Sequence, residues 1–177
     1  MNTELSFSGI ILHGIKNGIF NLISILLAII LWLITIWIPY LNVGTTIALL
    51  SMPIGMSKGH IMSPLEIFKG KYRQHMGEFF ILTGLKMQAY LPALLFLVVP
   101  LIILRLSWSQ STYLLLDKSS INPAEALTLS NKITYGHKAK IFFAKLILTI
   151  LSVGVLYPFF MLGANAYIYK NLSKDIE

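Results

Sequence analysis

Between Lys16 and Lys58 no charged side chain occurs for 41 residues, from Asn17 to Ser57. As one straight helix that run would be about 60 Å long, whereas the hydrocarbon core of a bilayer is only about 30 Å thick. The run therefore has to fold back on itself. The natural corner is Ile38-Pro39-Tyr40-Leu41-Asn42-Val43-Gly44, because proline removes a backbone donor and Asn and Gly favour turns. Trp32, Trp37 and Tyr40 gather near that corner, as aromatic side chains do at a membrane-water boundary. The returning segment, Thr45 to Ser57, carries Pro53 and Gly55 and is expected to be a second, shorter helix.

Two further blocks repeat the pattern. Met87 to Leu104 is uncharged and extends back through Phe79 to Leu85, with Pro92 and Pro100 inside it, as one kinked span or as two half-length helices meeting near Pro92. Leu146 to Tyr169 is uncharged for 24 residues and broken at Tyr157-Pro158. Lys138, Lys140 and Lys145 precede this last block and Lys170 and Lys174 follow it, so a hairpin with its corner at Pro158 keeps all five cations on one side. Every charge except Lys86 lies outside the three blocks. By the positive-inside rule the basic loops and both termini are expected on the cytoplasmic face of a multi-pass membrane protein.

Composition agrees with that reading. The chain has 177 residues, 56% of them hydrophobic and 12% charged, against roughly a quarter charged in soluble domains. Mean hydropathy is +0.75. The expected fold is a single all-α membrane domain over 1–177, built from three proline-cornered helical hairpins with short interfacial helices. The net charge of +7 belongs to cations flanking the apolar blocks. They form no single stripe of the kind that tracks a nucleic-acid backbone, so no nucleic-acid partner is expected.

At the N-terminus, Phe7, Ile10, Ile11 and Ile15 recur at helical spacing opposite Ser6, His13, Lys16 and Asn17, the pattern of an interfacial helix or of a first turn entering the membrane. No Ala-x-Ala site follows Glu4 and Lys16, so this segment is expected to be retained. Gly14-Ile15-Lys16-Asn17-Gly18 has close-packing glycine spacing, but it contains a lysine and lies partly outside the apolar run, and it is attributed to chance. Between Lys58 and Glu78, Ser63-Pro64-Leu65-Glu66 reads as the start of a capped surface helix.

The chain has no cysteine, which removes thiolate metal sites and cysteine nucleophiles. His13, His60, His75 and His137 show no i, i+4 pair or Glu-x-x-His spacing, and no metal or cofactor is expected. His75 and Glu78 are read as a solvated pair. No Gly-x-Ser-x-Gly elbow or phosphate-binding glycine loop occurs, so no enzymatic activity is expected. Lys86 is the one intramembrane charge, where a cation costs about 2.5 to 3.5 kcal/mol on insertion scales. It implies a partner or water path, or it snorkels towards the interface.

The cytoplasmic connector carries the remaining pattern. Ser107 to Leu116 suits a protein-packed or interfacial helix ended by Asp117-Lys118-Ser119-Ser120. Asn122-Pro123-Ala124-Glu125 then caps a helix that runs to about Thr134 before Gly136, with Glu125 reaching back to the cap. Asp117 at a helix C-terminus is unfavourable unless compensated. It is expected to bond amides of the Lys118 to Ile121 turn or to pair with a connector lysine such as Lys132, Lys138 or Lys140. Asp117, Asn122, Glu125, Gly136 and Lys138 together form the expected structural hinge.

Ser107-Trp108-Ser109, Leu114 to Asp117, Asn122 to Leu127, Ser130 and Tyr135-Gly136-His137-Lys138 resemble a bacterial family of integral membrane proteins. That family is related to the YciC inner-membrane proteins and similar to the membrane domain attached to some glycerophosphodiester phosphodiesterases. Here Asp-Lys-Ser-Ser stands where that family tends to have Asp-Asn-Pro. The resemblance implies bacterial origin and an all-helical inner-membrane fold, and it carries over no catalytic residues. The function expected first is a non-enzymatic accessory protein, in contact with membrane lipid, packing as a homo-oligomer or against a partner membrane protein. A small transporter or channel with a path near Lys86 is the alternative, and a lipid-directed membrane enzyme is a weaker third.

Overall fold

The computed structural model describes residues 5–61, 63–96, 98–118 and 120–176, with backbone only at 175 and 176. Met1 to Glu4, Ser119 of the expected helix-ending turn, and Glu177 lie outside the described residues. Among the described residues the structure is helical without strands. In order, the helices are α1 (Phe7–Phe20), α2 (Leu22–Ile34), α3 (Pro39–Ser57), α4 (Lys71–Gln74), α5 (Met76–Phe96), α6 (Val98–Ser107), α7 (Ser111–Asp117), α8 (Pro123–Thr134), α9 (Lys138–Leu151) and α10 (Tyr157–Leu172). Three 3-10 turns, Thr35–Trp37, Pro64–Phe68 and Ser173–Ile176, supplement them.

Prolines place the breaks differently from the expectation. Pro39, Pro64 and Pro123 open their helices and Pro158 stands in the first turn of α10, where the missing N–H is one the helix would leave unpaired anyway. The corners therefore precede the prolines. The first is Thr35 to Ile38, and Asn42 and Gly44 are inside α3. The last is Ser152 to Leu156, and Pro158 is already helical. Pro92 breaks nothing, because α5 runs through it as one helix of 21 residues.

α1 and α2 form a bent pair, turned by 69° at Asn21. The Asn21 side chain donates to the Asn17 carbonyl at 2.9 Å, a local bond that competes with helix continuation. The first corner is tied by polar groups. Thr35 bonds Thr45 at 2.8 Å and Trp32 Nε1 donates to Thr46 Oγ1 at 2.8 Å, so the hydroxyls of this hairpin are satisfied inside it.

The closest helix crossing is α1 on α10, and the Gly14-x-x-x-Gly18 pattern makes it. A Cβ at Gly163 would meet the Gly14 carbonyl oxygen and fall 2.8 Å from the Gly18 amide nitrogen, and one at Gly18 would fall 2.7 Å from the Phe159 carbonyl oxygen. Backbone meets backbone, as small residues allow. Lys16 points away, exposed, so it does not obstruct the seam. The attribution to chance is thereby corrected, and the face of α1 that is buried consists of Gly9, Ile10, Gly14 and Gly18.

α3 is the expected second helix, but at 19 residues it is longer than Thr45 to Ser57 because it starts at Pro39, and it lies at the centre. Ile47, Ala48 and Met52 are fully or almost fully buried, and α10, α2 and the 58–75 insert pack around α3. The insert runs back along it until the Arg73 stem lies over Gly44. At Ser63 the side chain makes no cap bond, and Pro64–Phe68 is a 3-10 turn in place of the expected surface helix.

Among the described residues one helix, α5, is long and apolar enough to cross a membrane, and the bent α1–α2 pair also passes if read as one span. Large apolar side chains are exposed along the outside: Trp37 is 89% exposed, Leu95 87% and Val153 85%. A soluble monomer rarely presents contiguous apolar surface on this scale.

Candidate functional site

Three chain segments distant in sequence converge at Asp117. The residue closes α7, and α7 packs against α3. Its carboxylate accepts from Lys58 Nζ, at the end of α3, and from the Tyr169 hydroxyl of α10 at 2.7 Å. The requirement for compensation at a helix C-terminus is met, but by other groups than expected. Among the described residues the partners are Lys58 and Tyr169 and not a connector lysine, because α7 ends facing α3 and α10; the Ser119 amide of the expected turn lies outside the described residues. Tyr169 is almost fully buried and its ring packs edge-on to Tyr113 at 5.9 Å. Burial pushes the Tyr113 phenol well above its ordinary value, opposed by a bond to Asn165, so it stays neutral.

An open cavity of about 460 Å³ adjoins this junction, lined by Lys58, Asp117, Glu66, Lys71, His60 and His75 among others. Within it the charges pair. Glu66 accepts from Lys71 at 2.8 Å and is 3.2 Å from Lys69. The hydrogen bond from Lys71 is the main reason the Glu66 carboxyl is held below the usual range, and burial opposes it. The same bond raises Lys71. His75 Nδ1 is 3.3 Å from Glu78, as the three-residue spacing suggested. Among the described residues no group of three or more His, Cys, Asp or Glu could hold a metal.

The remaining hinge residues lie elsewhere. Asn122 Oδ1 accepts the Glu125 amide at 2.8 Å and caps α8. Glu125 is exposed and makes no return bond, so only half of the expected capping box forms. Gly136 adopts φ +79° after α8, a conformation that glycine accepts without strain. Lys138 donates to Asn131 Oδ1 at 3.1 Å. None of these four lines the cavity at Asp117.

The connector is held instead by a buried hydroxyl cluster. Ser130 Oγ donates to the Ser107 carbonyl at 2.7 Å and accepts the Gln110 amide at 3.2 Å, and Thr134 Oγ1 also reaches Ser107 O at 3.1 Å. The break between α6 and α7 frees these backbone groups, and α8 supplies their partners. Lys86 Nζ donates to Thr112 Oγ1 at 2.9 Å. It reaches across to α7 and lines neither this cavity nor a second one between α6, α9 and α10.

Sequence reasoning found Asp117 but missed Lys58, Glu66, Lys71 and Tyr169. The surplus of charge in the 58–78 insert signalled the first three, and no local pattern signalled Tyr169. Comparisons with family models, with curated proteins and with solved structures find no match to this chain.

Proposed function

We propose that this chain is a multi-pass protein of a bacterial inner membrane, acting as a non-enzymatic accessory subunit that packs against a second copy or a partner membrane protein through α5. The observation that carries the reading is the exposure of that helix. α5 is apolar enough to span, yet only 11% of its apolar window is buried. Its outward face includes Gly77, Phe80, Ile81, Gly84 and Leu91, and a Cβ at Gly77 or Gly84 would meet nothing within 4 Å. In α1 the same residue type is used to bring a helix backbone close, and in lipid such contacts drive association. The cavity at Asp117 supports the non-catalytic part, because each of its carboxylates is engaged by a cation.

Extraction in a mild detergent followed by measurement of the particle mass tests this. The native chain is expected to leave the membrane as an oligomer or a complex, and Gly84→Leu, which fills open space, as a folded monomer. A native monomer without partner contradicts the proposal. The alternative, a transporter or channel with a path near Lys86, draws on that lysine having one neutral partner within α5–α7. It requires solute flux in proteoliposomes that Lys86→Met abolishes.

A further inference from the structure

The second cavity, about 400 Å³ between α6, α9 and α10, has a chemistry opposite to that of the first. Its polar lining among the described residues is Arg105, Lys145, Thr149, Tyr157 and Asn165, with no carboxylate. Among the described residues neither Arg105 nor Lys145 takes part in a salt bridge. Two cations thus face one space with no carboxylate among the described residues to neutralise them, in a chain whose other cavity pairs its charges. Cations close to hydrocarbon are retained where an anion or a water path compensates them.

The rest of the lining and the position of the cavity identify the anion. Ile102, Leu106, Leu146 and Met161 make the other walls apolar. Above the cations the helices end in exposed apolar side chains, Val98 and Val99 on α6 and Ile150 and Leu151 on α9. From Arg105 to Val98 and from Lys145 to Leu151 the helical rise is about 10 Å. One leaflet of hydrocarbon is about 15 Å thick, half of the core. When the apolar ends enter the leaflet interior, the two cations lie near its headgroup level.

We propose that this cavity binds the headgroup phosphate of an acidic phospholipid, with Arg105 and Lys145 as ligands of the phosphate and the apolar walls against the first part of an acyl chain. Arg105 suits the role because its guanidinium can engage two phosphate oxygens at once, while Lys145 contributes a point charge. Tyr157 adds a hydroxyl to the same lining, while the Thr149 hydroxyl already donates to the Lys145 carbonyl of its own helix at 2.8 Å. The site lies on other helices than the α5 face and does not depend on what covers that face.

The test is thermal unfolding of the full chain in a neutral detergent, with short-chain phosphatidylglycerol, phosphatidylcholine of the same chain length, or inorganic phosphate added. Phosphatidylglycerol at ten times its dissociation constant is expected to raise the midpoint by about 4 °C, and the other two by much less. The double variant Arg105→Gln, Lys145→Gln is expected to lose that shift, while Lys138→Gln, outside the cavity, keeps it. Equal stabilisation by phosphatidylcholine overturns recognition of the charge, and an equal effect of inorganic phosphate overturns the lipid. A full response in the double variant overturns the assignment of the site. The headgroup comparison is made on the native chain and decides the matter even where the variants do not fold.

Discussion

Asp117 carries two bonds of different worth. Lys58 is 55% exposed at its side chain against 19% for Asp117, and an ion pair with one solvated partner contributes at most about 1 kcal/mol. The bond from Tyr169 contributes more, because that hydroxyl sits on an almost fully buried ring and loss of a buried partner costs about 1 to 3 kcal/mol. Asp117→Asn keeps an oxygen that can accept from Tyr169 and is expected to lower the unfolding temperature in detergent less than Asp117→Ala. Lys58→Met is expected to cost less than either. Equal losses for all three would mean that the ion pair, not the tyrosine, holds the junction. Glu66 adds a pH dependence of its own. Its pKa is lowered, first by the bond from Lys71, so its contribution is complete above the unfolded value of about 4.3 and disappears as pH falls through the lower folded one. Lys71 is raised by the same bond, so its contribution is complete below its unfolded value of about 10.4 and is lost as pH rises through the folded one. Both lysines on Glu66 are more than half exposed, so the effect is local. Amide exchange across residues 64–75, corrected for its intrinsic pH dependence, is expected to quicken on acidification in the native chain. Glu66→Gln should show the faster exchange already at neutral pH.

Among the helices, Gly14, Gly18 and Gly163 meet backbone, Gly9 and Gly44 meet side chains, and Gly77 and Gly84 meet nothing within 4 Å. Gly163→Ala is expected to destabilise by about 1 to 3 kcal/mol, since α1 and α10 have to move apart to admit the methyl group. In the separated chain Gly84→Ala replaces glycine in an open helix interior and is expected to gain up to about 1 kcal/mol in helix propensity, whereas in the proposed assembly its methyl group would meet the partner. Paired melting curves for these two variants check the crossing, and a neutral Gly163→Ala would contradict it. The helices α8, α9 and α10 were readable from sequence because local signals mark their ends: the Asn122 cap, Gly136, and cations on both sides of the last block. The first corner was misplaced because turn propensity at Asn42 and Gly44 was set above the preference of Pro39 for a first helical turn. The Gly14–Gly18 seam was misread because Lys16 counted against it, although at helical spacing Lys16 lies on another side. The site at Asp117 was only half legible. The need for a counter-charge follows from a helix end, but its supply by Lys58 and Tyr169 depends on how α3, α7 and α10 pack, which no local pattern encodes.

Across the whole molecule, polar and apolar ends separate. Lys58, Asp117 and Tyr169 join the ends of α3, α7 and α10, and Tyr167 lies over Gly9 near the start of α1. At the opposite end of α9 and α10, the corner exposes Val153 and Val155. The proposed function rests on the charged end facing the cytoplasm from within a bacterial inner membrane. The chain has no native cysteine, so single cysteines at Lys71, Ser120 and Lys138 can be probed with a membrane-impermeant maleimide. Each position is expected to stay unlabelled in intact cells and to react fully once the membrane is opened. Labelling of Lys71→Cys or Ser120→Cys in intact cells would contradict the orientation, and recovery of the protein in the soluble fraction would contradict membrane residence itself.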